Sequence, residues 1–391
     1  MPDERPYDLV LFGATGFTGG LTADYLARHA PPGLRWALAG RNPAKLAGVR
    51  DRLAGIDAGL AALPLLTADV TDPASLRAVA ESARVVASTV GPYLRHGEPL
   101  VAACAAAGTD YVDITGEPEF VDLMYVRHHA EAVRTGARLV HACGFDSVPH
   151  DLGVWFTVRQ LPADGPVTVD GYVRAGGRFS AGTYHSALLS FSRSGQARRA
   201  AQARRAVEPR PVGRRVRAVP GKLGRAAEAG GWAVPLPTID PQIVRRSAAT
   251  RPKYGPDFRY RHFAAVKRLP TVLAAGVGLA GLIGLVKLPP TRRWLLGRLS
   301  PGQGPSAEQR AKSWFRVRFV GTGGGRTVVT EVAGGDPGYD ETAKMLAESA
   351  LCLAFDDLPP AAGQLTTVTV MGDALLDRLT RAGITFRVVD A

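Results

Sequence analysis

Val10-Leu11-Phe12-Gly13-Ala14-Thr15-Gly16-Phe17-Thr18-Gly19-Gly20 is the stretch that decides the fold of this chain. A short apolar run, Tyr7 to Phe12, leads into it, and an amphipathic run through Leu21, Tyr25 and Leu26 leaves it. A strand, a glycine turn and a helix start follow one another, which is the setting that turns a glycine pattern into a dinucleotide site. The spacing is G-x-x-G-x-x-G, with Gly13, Gly16 and Gly19 as its fixed points. A turn glycine takes positive φ readily, and a missing Cβ lets backbone approach a pyrophosphate. The helix N-terminus then offers free N–H groups and a partial positive charge to that anion. The plainer reading is an ordinary glycine-rich turn between a strand and a helix.

The next strand favours the dinucleotide. Arg35 to Ala39 reads as strand and ends in Gly40-Arg41-Asn42, not in an aspartate or glutamate. An acid there would bind the ribose hydroxyls of NAD and repel a 2′-phosphate. Glycine followed by arginine makes room and supplies a planar cation suited to phosphate oxygens. Lys45 stands four residues on. The cofactor that these residues predict is NADP(H), held by Gly13, Ala14, Thr15, Gly16, Phe17, Thr18 and Gly19 at the turn and by Arg41 at the 2′-phosphate, with Asn42 also in the cofactor-binding set.

The first part of the chain alternates strand and helix patterns with short connections, the mark of a parallel sheet wrapped by helices. Pro43 to Leu53 reads as a helix with Asn42 as cap. Leu63 to Thr67 is a third strand, after which Asp69 is placed toward the adenine side. Arg84 to Thr89 is a fourth strand, ending in Val90-Gly91-Pro92-Tyr93, where open α/β sheets hold their ligands. Val90 and Gly91 therefore join the cofactor set. Tyr111 to Ile114 and Arg138 to Ala142 supply a fifth and a sixth strand, with helices over Gly97 to Ala107 and Glu119 to Arg134. Six strands complete a Rossmann-type doubly wound domain over 1–150.

At 391 residues the chain is long enough for a second domain with its own core. An α+β domain for substrate or oligomer contacts is expected over 151–355, and a C-terminal segment, 356–391, that packs back on the first domain. Phe315, Val317 and Phe319 alternate with Arg316 and Arg318, a half-buried strand, and Arg326 to Ala333 pairs with it across a glycine hairpin. Val167 to Arg174 and Arg178 to Phe179 are further strands, Gly182 to Phe191 starts a helix, and Thr342 to Phe355 is helical. The three cysteines have no metal-type spacing and no even pairing, so no metal site is expected and a reducing cytoplasm is the simple reading. The first apolar run is strand-length and leads straight into Gly13, which argues against a signal peptide.

Two segments break the pattern. Residues 193–225 hold eleven basic side chains and one acid, Glu208, with little periodicity. A loop is the plain expectation. The sharper one is a contact with anionic lipid or an acidic carrier protein. Motifs that read bases or grooves are absent, so nucleic acid is excluded as a partner. Leu269 to Val286 is uncharged over eighteen residues, between Lys267-Arg268 and Lys287. A membrane span, an interfacial patch that holds the protein at the inner face of the membrane, a buried helix and a homodimer contact are its possible uses.

Taken together, Gly13-Ala14-Thr15-Gly16-Phe17-Thr18-Gly19, Ala39-Gly40-Arg41, Val90-Gly91-Pro92-Tyr93, Cys143-Gly144-Phe145-Asp146-Ser147-Val148-Pro149-His150-Asp151 and Asp336-Pro337-Gly338-Tyr339 resemble the saccharopine dehydrogenase-like oxidoreductase family. The chain is most similar to its trans-acting enoyl reductase branch in actinobacteria. The resemblance implies a Rossmann domain, a second α+β domain and a return to the first. It also implies a pyridine nucleotide and reduction of a carbon–carbon double bond in a lipid or polyketide acyl chain, presented by a carrier protein or synthase. Relatives that work at a C–N bond supply the alternative, and a non-catalytic nucleotide-binding protein at a lipid surface is a third reading.

Reduction of an enoyl thioester puts hydride on the β-carbon and leaves an enolate that needs a hydrogen bond or a proton. Tyr93, directly after the fourth strand, is the first candidate. Asp146 and His150, with Ser147 between them, follow the sixth strand and are the next. Tyr184 and His185 are candidates from the second domain. Each has a plain alternative: Asp146 and Ser147 as turn caps, Tyr93 as a ring stacked against the cofactor.

Overall fold

The computed structural model describes residues 5–177, 193–228, 230–272 and 304–389, with isolated positions at 278, 281 and 291. It divides into two compact units, residues 1–145 with 338–378 and residues 146–337 with 379–391.

The first unit is built on seven parallel strands, in the order β14-β6-β5-β4-β1-β2-β3. These are β1 (Tyr7–Phe12), β2 (Trp36–Gly40), β3 (Leu65–Thr67), β4 (Ala83–Ser88), β5 (Asp110–Asp113), β6 (Arg138–Val140) and β14 (Gly363–Leu365). β1 lies at the centre between β2 and β4, with Leu11 opposite Leu38 on one side and Ala87 on the other. Leu9, Val10 and Leu11 are fully buried, as expected of a parallel sheet covered on both faces. The connecting helices are α1 (Phe17–His29), α2 (Pro43–Ala54), α3 (Pro73–Ser82), a short α4 (Tyr93–His96), α5 (Glu98–Ala107) and α6 (Pro118–Thr135). Asn42 and Asp72 cap α2 and α3 with their side chains, each followed by proline at the first helical position. The helix Asp340–Phe355 packs along α1 and against β4 and β5, and nearly all of its side chains are buried.

The second unit carries a mixed sheet in the order β15-β13-β12-β7-β11-β10-β9, with β8 beside β11. Its strands are β7 (Val167–Gly176), β8 (Arg215–Ala218), β9 (Gly224–Ala226), β10 (Gly231–Pro235), β11 (Asp257–Val266), β12 (Trp314–Gly323), β13 (Arg326–Gly334) and β15 (Thr385–Val389). The helix α7 (Val148–Arg159) lies on β12 and β13. Gly153 makes that approach possible, because a Cβ there would stand 2.3 Å from the Phe319 ring.

Three expectations change. Residues 338–355, read as part of the second domain, belong to the first unit, because the apolar stripe through Met345, Leu346 and Leu351 closes over its sheet. The last strand, expected on the first domain, pairs with β13, and Arg387 reaches Glu331 at 2.6 Å. The basic stretch is ordered: Ser194–Val207 is a helix, and β8 and β9 follow. The strand at Arg178 to Phe179, the helix at Gly182 to Phe191, Tyr184, His185 and most of Leu269 to Val286 lie outside the described residues. Among the described residues no helix is long and apolar enough to cross a membrane.

Candidate active site

The glycine turn sits at the carboxyl end of β1. Gly13 takes φ +96°, and its N–H donates to Ala39 O at 2.9 Å. Gly16 turns back to Gly13 O at 2.9 Å and is the N-cap of α1, with no side chain capping the helix. The first turn of α1 carries no acid. Its N–H groups thus face outward with their positive end uncompensated, which suits a pyrophosphate. Gly19 lets the helix settle on the turn, since a Cβ there would lie 2.2 Å from Gly13 O. Thr89, just beyond β4, donates its hydroxyl to Gly13 O at 3.1 Å and supports the turn from below. Ala14 is buried, Thr15 and Gly16 are exposed, and the Phe17 ring meets Tyr339 edge to face at 4.8 Å. These features fit a dinucleotide.

Arg41 is exposed at the end of β2, where Gly40 pairs with Thr67 of β3. Asn42 uses its side-chain oxygen on Lys45 N at 3.0 Å, so its structural work is the cap of α2. Asp69 accepts from Thr71 N and Oγ1 at 2.9 and 2.8 Å. Those bonds, with Arg41's charge in reach, hold its carboxyl below the usual range. Replacing Arg41 by Ala is expected to weaken NADPH about 10- to 100-fold and to leave NADH within a few-fold, since a charge-assisted contact contributes about 1.5–3 kcal/mol. Equal losses for the two nucleotides in a fluorescence titration would remove the 2′-phosphate role.

Val90 and Gly91 follow Thr89 at the carboxyl edge, with a cis bond between Gly91 and Pro92. Tyr93 turns inward. Its ring is buried, its hydroxyl donates to Ser88 O at 3.0 Å, and Ile114 N approaches it at 3.4 Å. Burial and the charge of Asp113 push the phenol well above its ordinary value, which makes it a poor acid. This placement packs Tyr93 at the end of β4 and does not support the proton-donor expectation for it. Sequence reasoning also missed what holds this edge. Glu117, fully buried, accepts from Tyr93 N and Leu94 N at 3.1 and 2.8 Å. Asp113 joins His141 at 2.7 Å and Ala142 N at 3.0 Å. Phe145 N donates to Thr342 Oγ1 at 3.1 Å.

From β6 the chain runs through Phe145 into the second unit, which opens with Asp146. The Asp146 side chain is half-buried, and burial with the charge of Asp240 pushes its carboxyl up to about 6, against the opposing effect of His150. Ser147 takes φ +144°, a conformation rarely adopted by a residue with a Cβ, and is the N-cap of α7. His150, in the first turn of that helix, is 2% exposed and sets Nδ1 3.0 Å from Asp240 Oδ1. On the other side, Asp240 Oδ2 lies 3.3 Å from His262 Nε2.

Sequence spacing predicted no metal-type cluster, yet the fold gathers His150, Asp240 and His262 with one ligand atom each within 4.8 Å of one another. Asp240 turns a different oxygen to each imidazole, Oδ1 to His150 and Oδ2 to His262. The available signal was the alternation of buried Phe258, Tyr260 and His262 with Arg259 and Arg261, which puts a histidine on the inner face of β11. The thiols of Cys104, Cys143 and Cys352 are buried and raised by desolvation, so none is poised as a nucleophile.

A family model described as the saccharopine dehydrogenase NADP binding domain matches residues 9–140. Along its length the chain is 41% identical to a Mycobacterium tuberculosis protein provisionally named a trans-acting enoyl reductase, with 98% of this chain and 97% of the relative covered. A trans-acting enoyl reductase of Mycobacterium bovis is 39% identical, with 98% of each chain covered. Among solved structures, apo saccharopine dehydrogenase of Saccharomyces cerevisiae shares the fold, with a TM-score of 0.52 at 13% identity over 98% of this chain and 99% of that one. A nucleotide turn of the predicted kind, in a chain matched end to end by such relatives, places this protein in the trans-acting enoyl reductase family of NADP-dependent, saccharopine dehydrogenase-like oxidoreductases.

Proposed function

We propose that this chain reduces the carbon–carbon double bond of an enoyl group in a lipid or polyketide acyl chain, presented as a thioester by a synthase or its carrier protein. The end-to-end likeness to relatives of that name carries the reading. When bound, NADPH supplies hydride to the β-carbon. Gly13, Gly16 and Gly19 seat the pyrophosphate on α1, and Arg41 takes the 2′-phosphate. Asp146 holds the proton for the α-carbon: with its carboxyl pushed up to about 6, a useful fraction is protonated near neutral pH. His150 is the second acid–base group beside it.

The basic helix Ser194–Val207 supplies the docking surface for an acidic carrier. It contains no acid, and Arg198, Arg199 and Arg205 are exposed. Arg204 turns inward to Glu208, which Arg246 also holds at 2.8 Å, and so anchors the helix. A lipid surface is the weaker partner for this face, because its one large exposed apolar side chain is Val207.

The test follows NADPH absorbance with a long-chain enoyl group on pantetheine, with the same group on an acidic carrier protein, and with a keto acid plus an amine. Oxidation by the enoyl substrates alone is expected. Oxidation only with the keto acid and amine would move the chain to C–N chemistry. Charge reversal at Arg198, Arg199 and Arg205 is expected to lower kcat/KM for the carrier-borne substrate about tenfold or more at low salt, measured relative to the pantetheine thioester. Equal effects on both would remove the docking role, and loss of vesicle binding alone would point to lipid.

A further inference from the structure

The second unit buries three metal-ligating side chains where apolar ones would serve packing as well. His150, Asp240 and His262 are 2%, 2% and 4% exposed. They come from three elements of that unit: the first turn of α7, the first residue of the helix Asp240–Thr250 and the middle of β11. An acid at the start of a helix is favoured by the helix dipole, which accounts for Asp240 but for neither imidazole. Asp240 Oδ1 stands 3.0 Å from His150 Nδ1, and Oδ2 stands 3.3 Å from His262 Nε2. Both separations are within reach of a hydrogen bond, yet Asp240 Oδ1 and His262 Nε2 are buried and make none. Polar atoms buried in this way have lost their hydration with nothing to replace it, so the arrangement is costly by itself. Ligands that share one ion at about 2.0–2.2 Å stand roughly 3.0–3.5 Å apart, aimed at the ion and not at each other. The two pairs have that spacing, and one ligand atom from each of the three residues lies within 4.8 Å of the others.

We propose that His150, Asp240 and His262 form a binding site for a divalent first-row transition-metal ion of the zinc type. Two imidazoles and one carboxylate suit such an ion, whereas magnesium and calcium take sets of oxygen ligands. Three protein ligands leave a fourth position for water, which completes four-coordinate zinc. The residues around the cluster orient the ligands. His262 Nδ1 lies 2.8 Å from the Tyr260 hydroxyl. With its proton on Nδ1, the ring donates to the tyrosine oxygen and Nε2 turns a lone pair into the cluster. Gly171 makes room for that hydroxyl, since a Cβ there would stand 2.6 Å from it. The Thr238 hydroxyl donates to Asp240 Oδ2 and fixes the carboxylate. A bound dication offsets the charge of Asp240, whose burial is otherwise unfavourable. Ligation takes only Nδ1 of His150, so Nε2–H keeps the acid–base part given to that ring above. The ion ties the start of α7 to β11 and to the helix Asp240–Thr250, and so stabilises the second unit.

The full chain, purified without a metal-affinity tag, tests this. Zinc titration against a chromophoric chelator, with elemental analysis of the dialysed protein, is expected to give one tight site per chain. Asp240→Asn and His262→Gln are each expected to weaken zinc at least 100-fold. Zinc should also raise the melting temperature of the wild-type protein, and magnesium at the same concentration should not. Should the ligand variants fail to fold, Tyr260→Phe, which takes only the hydroxyl from His262, is expected to weaken zinc about 10- to 100-fold. Zinc bound without a defined stoichiometry, or a melting temperature that zinc leaves unchanged, would overturn the proposal. So would zinc held as tightly by Asp240→Asn and His262→Gln as by the wild type or, where those do not fold, by Tyr260→Phe. Metal binding is read here without turnover. A wild-type protein silent on enoyl substrates would therefore remove the functional reading, and the zinc titration would still decide the site.

Discussion

Gly19→Ala is expected to lower NADPH affinity at least 100-fold while the sheet stays intact. The added Cβ would stand 2.2 Å from Gly13 O, 2.9 Å from Gly13 C and 2.7 Å from Thr89 Oγ1. Backbone cannot yield as a flexible side chain does, so α1 must move off the turn. Overpacking of this kind costs about 1–3 kcal/mol in stability. Its effect on binding is larger, because displaced N–H groups no longer converge on the pyrophosphate. The three glycines differ in what they tolerate. At Gly16 a Cβ would be 3.3 Å from Gly13 O, a close contact that a small shift relieves. Gly13 combines φ +96° with contacts of 2.7 Å to Thr89 and Val90. The expected order of loss on alanine substitution is therefore Gly19 first, Gly13 next and Gly16 last. Nucleotide titration with a thermal melt of each variant checks it, and Gly19→Ala binding within twofold of wild type would refute the arrangement.

Asp146→Asn is expected to slow enoyl reduction about 100- to 1,000-fold and, at the same time, to stabilise the protein at neutral pH. The lift of the carboxyl from 3.8 to about 6 means that its ionisation is resisted by the folded state. At pH 7 that resistance is a destabilisation on the order of 2 kcal/mol for a half-buried group. The sign follows from the order of the two values. Below the unfolded value both states are protonated and nothing is lost. The destabilisation grows as pH rises from 3.8 and is complete above about 6. An amide removes it, so the melting temperatures of variant and wild type should converge near pH 3.5 and separate by a few degrees at pH 8. In the wild-type protein kcat should fall as pH rises through the value of this acid. An Asn variant that is fast, or that gains no stability at pH 8, would show that Asp146 is not the strained acid described above.

The glycine turn and the elements around it were legible because they are local. Turn, strand and helix cap lie within a dozen residues, and Gly40-Arg41 follows a strand that pairs beside the first. What holds the turn is less local. Thr89 stands 76 positions beyond Gly13, and nothing near Thr89 distinguishes it from any strand-end threonine. The inward turn of Tyr93 was hidden for a related reason. Its position after the fourth strand was read correctly, but the short α4 turns its ring inward, a rotation that periodicity cannot report over four residues. The His150–Asp240–His262 cluster joins three segments separated by 90 and 22 positions, so only the alternation in β11 hinted at it. The helix Ser194–Val207 was hidden by its charge. The eleven basic residues of 193–225 suggested a solvated loop, although the helix itself is made largely of alanine, arginine and glutamine, which are among the strongest helix formers.

Neither unit is a continuous stretch of chain, and this sets an order on how the protein is made. The first sheet takes shape from residues 7–140, but the helix that closes its face arrives only with residues 340–355 and its edge strand with 363–365. A ribosome adding about 5–20 residues per second releases that cover some ten seconds or more after the nucleotide turn. During that interval the face later covered by Met345 and Leu351 is open, and the second sheet is still waiting for β15 to cover β13. The nascent chain is most exposed to aggregation and to proteases in this window. Substitutions in Asp340–Phe355 should therefore lower yield in the cell more than their effect on the melting temperature of the finished protein suggests.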